Sequence, residues 1–362
     1  MLEGNHMIDL DRLSVREIMD LIGLADSIRS NPWAYRESCR GRIMATLFYE
    51  PSTRTKMSFQ AAMFRLGGEV VGFDNPMNTS VTKGESLKDT VTVVSGYTDL
   101  VVIRHPREGA AAAAALYSKV PVINAGDGGH LHPTQTLTDL VTLYNEKGRL
   151  DHLCIGLCGD LVYGRTVHSL IRAMIRFPGN SFVLISTPEL KLPDYVKDAM
   201  DAAGCRWKEV KSLEEAIPSL DVLYMTRIQQ ERFSDPEEYR RQKGVYILDE
   251  KKLARGKEDL RILHPLPRVD EIAQDVDDDP RATYFRQTVY GMYARMALIL
   301  TILQGKHAGK AAAGGTENRK VLCPNPSCIT RTEPYLPHRF VRSGNELICA
   351  YCDARMPVPP EV

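Results

Sequence analysis

The chain has 362 residues, 43% hydrophobic and 25% charged, with 46 Lys+Arg balancing 46 Asp+Glu. That length allows two or three domains with their own cores, and the zero net charge argues against bulk attraction to nucleic acid or an anionic membrane. No apolar run approaches the length of a membrane span, and the start, MLEGNHMIDLDRLS, has neither a basic region nor an apolar signal core, so a cytoplasmic protein is expected.

Strand-like apolar runs occur at 43–49, 69–73, 99–103, 120–123, 153–158, 181–186, 206–210, 221–225 and 261–263. Helical stretches lie between them at 14–29, 54–66, 84–96, 107–118, 134–147, 164–176, 193–203, 235–242 and 289–303. The run Ala110–Ala115 is low in complexity, but alanine is the best helix former, so it reads as helix. Strand alternating with helix predicts parallel sheets covered on both faces. Four to five strand-like runs before about residue 130, and as many after 150, predict two doubly wound α/β domains. Ligands of such sheets bind at the carboxyl ends of the strands.

Polar groups recur at those ends. After the run 43–49 comes Ser52-Thr-Arg-Thr55, at the start of a helix and with no glycine between 42 and 66. Ser52 suits an N-cap, and the free N–H groups and positive end of the helix favour an anion. Thr53 and Thr55 add hydroxyls, and Arg54 adds a guanidinium that can grip phosphate in two places. The plain alternative is a capped helix with one exposed arginine. Arg104-His105-Pro106 ends another run. A Gly-rich loop, 126–135, carries His130, His132 and Gln135. Arg227 and Gln229 end the run 221–225, and His264-Pro-Leu-Pro-Arg268 ends the last. Each alone suits a structural role; together they converge on one sheet edge.

The eight cysteines divide unevenly. Cys39, Cys154, Cys158 and Cys205 are scattered, while Cys323-x4-Cys328 and Cys349-x2-Cys352 crowd the last 40 residues. Two close thiolate pairs predict a closed, structural zinc site of four cysteines, and so short a unit needs such a staple to fold. A redox pair at Cys349 and Cys352 is the alternative. From Thr316 onward six basic residues face five acidic ones, so nucleic-acid binding is not expected. The Gly-rich stretch from Gly305 to Thr316 reads as a flexible linker.

The motifs FYEPSTRT with KMSFQAA, NTSVTKGESLKDT, RHP, HPTQTLTDL, GDLVYGRTVHSL, YMTRIQQER and HPLPRVDEI, in this order from about Asn5 to Leu303, resemble the catalytic chains of the aspartate carbamoyltransferase family. The resemblance implies transfer of the carbamoyl group of carbamoyl phosphate to L-aspartate, the committed step of pyrimidine synthesis. It implies that Ser52, Thr53, Arg54 and Thr55 hold the phosphate, and that Thr55, Arg104 and His132 polarise the carbonyl. Gln135 and the backbone at Pro265 and Leu266 would hold the carbamoyl amide. Arg165 and Arg227 would take the aspartate carboxylates, aided by Gln229. Ser80 and Lys83 would reach into a neighbouring subunit's site, which implies a homotrimer with shared sites. Glu50 would bridge to Arg165 and Arg232 on domain closure. No metal or other cofactor is implied for the chemistry.

The segment VLCPNPSCIT and the cysteine spacing resemble the zinc domain of the same enzyme's separate regulatory chain. Here it is fused, and between Leu303 and Cys323 there is no room for that chain's nucleotide-binding part. The expected organisation is 1–133 with the helix 289–304 for carbamoyl phosphate, 134–288 for aspartate, a linker at 305–317 and a zinc module at 318–362. The module is expected to dock on catalytic domains, through which higher oligomers can form. Rival readings are an ornithine-specific relative, disfavoured by Arg227 and by HPLP, an inactive scaffold, and an anion-binding regulatory protein.

Overall fold

The structure, a computed structural model, describes residues 5–228, 235–305, 314–318 and 320–359. The strands are β1 (Ile43–Phe48), β2 (Glu69–Phe73), β3 (Leu100–His105), β4 (Val122–Asp127), β5 (Cys154–Cys158), β6 (Ser181–Ile185), β7 (Arg206–Val210), β8 (Val222–Met225), β9 (Arg261–Leu263), β10 (Thr316–Glu317), β11 (Arg339–Ser343), β12 (Glu346–Cys349) and β13 (Arg355–Pro357). The helices are α1 (Val15–Ser30), α2 (Thr53–Arg65), α3 (Leu87–Val94), α4 (Ala110–Tyr117), α5 (Pro133–Lys147), α6 (Arg165–Met174), α7 (Asp194–Ala202), α8 (Leu213–Ala216), α9 (Pro236–Gln242), α10 (Glu250–Leu253) and α11 (Tyr284–Gln304). No helix among the described residues is long and apolar enough to cross a membrane.

The chain forms two compact units, one of residues 1–134 and 292–362, the other of 135–291. The first holds a parallel sheet in the order β2-β1-β3-β4. Its inner strands are buried along nearly their whole length, as IMATLF in β1 and LVVI in β3 require. The second holds a five-stranded parallel sheet, β7-β6-β5-β8-β9. The two parallel α/β sheets expected from the alternation are therefore present. α11 starts five residues before the expected 289. Aromatic and β-branched residues weaken its first turn, but Gln287 is buried there and bonded to Asp139, so tertiary contacts override propensity.

The cysteine module forms a small antiparallel sheet, β10-β11-β12-β13. Residues 306–313, which carry most of the expected linker, lie outside the described residues, and Thr316 and Glu317 already pair with β11. The module belongs to the first unit and shares its core. Ile329, Leu336, Phe340, Leu347 and Tyr351 lie in one apolar cluster with α4 and with Ala45, Leu47, Val101 and Val122 of the sheet. α4 reads AAAAAALY; a helix apolar on all sides must be covered on all sides. The side chains of Leu336, Phe340 and Leu347 each contribute roughly 1.5–3 kcal/mol through this burial.

Candidate active site

In the first sheet the chain winds from β1 outward to β2, then back across to β3. The strand order therefore reverses between β1 and β3, and ligands of such sheets bind at the carboxyl ends of the strands flanking that point. Two polar motifs meet there. Ser52 occupies the N-cap position of α2 with φ −158° and ψ 87°, but its side chain makes no capping bond. The expected cap position is right, while the hydroxyl is left for other work. Thr55 is buried one turn in. Tyr49 donates its N–H to the Arg104 carbonyl (2.8 Å), which fixes the start of the first motif beside β3.

Arg104 is largely buried, with Nη2 2.6 Å from Glu50 Oε1 and Nη1 donating to the Ala125 carbonyl at 3.3 Å. Its buried Nε has no partner among the described residues. Burial lowers the Arg104 pKa, with Glu50 opposing. The Arg54 pKa is lowered as well, by burial first and then by the charge of Arg104. Two guanidiniums that repel each other at a helix N-terminus are an anion sink. Gly126, at φ +120°, sits between the next two groups: a Cβ there would lie 3.0 Å from Arg104 Nη1 and 3.4 Å from His132 Cδ2. Arg104 and His132 thus both border Gly126, and a side chain at this position would press on both. The buried His132 has Nδ1 3.5 Å from Thr134 Oγ1. Ser80 and Lys83 are exposed on a 3-10 turn, Ser80–Lys83, outside this group. Glu50, expected as a bridge to the aspartate half, pairs here with Arg104 of its own unit.

In the second unit the strand order reverses between β5 and β8. Arg227 follows β8 by two residues, and Arg165 opens α6 after β5. Gly159 lets the two strand ends touch: at φ +117°, a Cβ there would lie 2.3 Å from the Thr226 carbonyl oxygen. Thr226 Oγ1 accepts the Asp160 N–H at 3.2 Å. A cleft lined by Gly159, Arg227, Tyr239, Lys243, Tyr246 and Glu271 opens at this point. Arg227 and Lys243 share this lining with Asp270 and Glu271, and Lys243 Nζ lies 3.9 Å from Asp270 Oδ2; Arg165 is not part of it. Gln229 and Arg232 lie outside the described residues.

Sequence reasoning missed the network that ties Gln135 to the HPLP loop. Gln135 Nε2 donates to Asp139 Oδ1 (2.8 Å), and so does Gln287 Nε2 (2.7 Å). Tyr224 donates its hydroxyl to Asp139 Oδ2 at 3.0 Å. Gln287 Oε1 accepts the His264 N–H at 3.0 Å, and His264 Nδ1 accepts the Leu266 N–H at 2.7 Å. That leaves His264 Nε2 to donate to Glu271 at 2.7 Å. Leu266 is held at φ +55° and Pro265 lies beside it. The i, i+4 spacing of Gln135 and Asp139 in a helix was the available signal.

Cys323, Cys328, Cys349 and Cys352 are buried, and their sulfurs lie within 4.8 Å of one another. Cys323 Sγ is 3.5 Å from Cys352 Sγ, and Cys328 Sγ is 3.9 Å from Cys349 Sγ. Tetrahedral zinc with bonds of about 2.3 Å sets sulfurs about 3.8 Å apart. The donor set and spacing therefore form a structural zinc site.

Three family models match the chain. Residues 5–145 match the family described as aspartate/ornithine carbamoyltransferase, carbamoyl-P binding domain, and 151–302 match its Asp/Orn binding domain. Residues 317–357 match the aspartate carbamoyltransferase regulatory chain, metal binding domain. The aspartate carbamoyltransferase catalytic subunit of Clostridium novyi is 56% identical over 84% of this chain and 99% of its own length. The catalytic subunit of M. jannaschii aspartate transcarbamoylase superposes with a TM-score of 0.78 at 47% identity, covering 83% of this chain and 98% of that one. Aspartate transcarbamoylase from Trypanosoma cruzi, in complex with carbamoyl phosphate and aspartate, gives 0.77 at 37% identity over 83% and 96%.

Proposed function

The chain belongs to the aspartate/ornithine carbamoyltransferase family, and from that premise we propose how its own residues carry out the transfer from carbamoyl phosphate to L-aspartate. Ser52, Thr53, Arg54 and Thr55 bind the phosphate with the N–H groups of α2. Arg104, His132 and Thr55 donate to the carbonyl oxygen. Gln135 and the backbone at Pro265 and Leu266 hold the amide. Arg165 and Arg227 bind the carboxylates, with Gln229 beside them. The α-amino group attacks the carbonyl carbon, a C–N bond forms, and the C–O bond to phosphate breaks. The amine proton goes to the departing phosphate. Each donor to the developing oxyanion lowers the barrier by roughly 3 kcal/mol, and holding both substrates in line supplies much of the rest.

The observation that carries this reading is the group Arg54, Arg104 and His132 at the β1/β3 crossover, with Arg104 and His132 both bordering Gly126. Formation of N-carbamoyl-L-aspartate, with ornithine as the control acceptor, tests it; no product from either acceptor refutes the activity, and product from ornithine alone refutes the substrate.

The reading extends to a cytoplasmic homotrimer with shared sites. Its support is an exposed apolar face around an edge strand: Val71 on β2, with Met57, Phe64 and Met77, is exposed in the single chain. Ser80 and Lys83 follow directly and would complete a neighbour's site. Glu50 would exchange Arg104 for Arg165 and Arg232 when both substrates are bound. Loss of catalysis in Glu50→Gln with substrate binding retained fits that exchange; full activity refutes it.

A further inference from the structure

The zinc module touches the segments next to two of the three carbonyl-polarising residues, Arg104 and His132. Arg107–Gly109, which follows Arg104, is zippered to the first knuckle. Glu108 donates its N–H to Ser327 O (3.0 Å) and accepts from the Ile329 N–H (2.9 Å). Its carboxylate accepts from Asn325 Nδ2 at 2.6 Å, and Arg107 Nη1 donates to Pro326 O at 3.3 Å. Gly109 packs on the second knuckle so closely that a Cβ there would lie 2.6–2.7 Å from Tyr351.

The loop before His132 is held from the other side. His130, largely buried, places Nε2 2.9 Å from Asp353 Oδ2 and Nδ1 3.1 Å from Asp127 Oδ2. Burial opposes its charge, but the two carboxylates outweigh this and raise its pKa to about 10, so it bridges as a cation. Asp127, fully buried at the end of β4, also accepts from the N–H groups of Gly109 (2.7 Å) and Leu131 (3.0 Å) and from Asn124 Nδ2 (3.1 Å). Leu131 directly precedes His132. Asp353 follows Cys352, donates its N–H to Cys349 O at 3.0 Å, and takes φ +57°, a conformation that Asp tolerates better than most residues. The knuckle that holds Cys349 and Cys352 therefore also sets the Asp353 carboxylate.

We propose that the zinc module positions the catalytic loop of its own chain, with Asp353 acting through His130 and Asp127 to hold His132 beside Arg104. Asp353, His130 and Asp127 are positioning residues. The inference rests on the roles given above to Arg104 and His132, but its structural half stands without them. Zinc, by fixing the knuckle, sets the distance between Arg104 and His132, two of the three groups that polarise the carbonyl.

The experiment compares the full-length protein with Asp353→Ala, Asp353→Glu and His130→Gln, each with its zinc content measured. Hydrogen exchange of the amides in 126–132 is followed together with kcat and the KM for aspartate. In Asp353→Ala with zinc retained, exchange in that segment rises and kcat falls about tenfold, since small misplacements of catalytic groups carry factors of this order. The KM for aspartate stays within twofold, and Asp353→Glu recovers most of both losses. His130→Gln, remote in sequence from the ligands, reproduces the Asp353→Ala pattern even if that variant loses metal. Unchanged exchange and kcat in zinc-loaded Asp353→Ala or in His130→Gln overturn the proposal. So does failure of Asp353→Glu to recover either. A wild-type protein without carbamoyltransferase activity would instead refute the activity, and the exchange data would still decide whether the module holds the loop.

Discussion

Replacing Gly126 with alanine tests the core of the site with a single methyl group. The backbone there has φ +120°, which an L side chain rarely adopts, and holding it costs about 1–3 kcal/mol of stability. The new Cβ would also sit 3.0 Å from Arg104 Nη1 and 3.4 Å from His132 Cδ2. Arg104 cannot retreat freely, because Nη2 is tied to Glu50 at 2.6 Å and Nη1 to the Ala125 carbonyl at 3.3 Å. The guanidinium must shift by a few tenths of an ångström or lose a bond. Losing one oxyanion donor costs about 3 kcal/mol, so kcat should fall about 100-fold. The aspartate half is untouched, so the KM for aspartate should stay within twofold. Steady-state assays against both substrates, with thermal unfolding to verify folding, measure this. A folded Gly126→Ala enzyme with kcat within threefold of wild type would show that Arg104 and His132 do not act together.

Arg227→Ala should raise the KM for aspartate by about 10- to 100-fold, from loss of a charge-assisted hydrogen bond; an unchanged KM would remove Arg227 from the site. Lys83→Ala and Arg54→Ala chains, each nearly inactive alone, should regain some activity when mixed, and mixed trimers that stay inactive would refute shared sites. Verified zinc removal should lower the unfolding midpoint, because the module and α4 share one core; an unchanged midpoint would show that the apo module keeps its packing. Burial depresses the His105 pKa to about 4, and the unfolded chain takes up that proton near 6.5. Stability should therefore fall between about pH 6.5 and pH 4, by up to about 3 kcal/mol. Urea unfolding at pH 7 and pH 5 checks this, and a His105→Gln variant with the same pH slope would assign the loss elsewhere.

Much of this was legible in the chain itself. Parallel strands buried on both faces must be nearly continuous apolar runs, so β1, β3, β5 and β8 stand out, and each is followed by its polar motif. The four cysteines of the module announce themselves because zinc ligation demands close pairs. Other features leave little local mark. Asp139 sits at the centre of a network linking Gln135 to His264 and Leu266, yet in the sequence it is one acid on a helix. Glu50 could be read as a latch between the halves, but its pairing with Arg104 depends on the β1/β3 register. Nothing in the string Ala110–Ala115 says which layer covers its second face. By itself the sequence determined the chemistry available: which cations, donors and thiolates exist, and that each proposed site group falls at a strand end, since periodicity and ligand spacing are local properties. Only the tertiary structure decided which of those ends adjoin, that Arg104 and His132 both border the bare Gly126, and that the zinc module closes over α4, because strand order and interlayer packing are set by contacts between residues far apart in the chain.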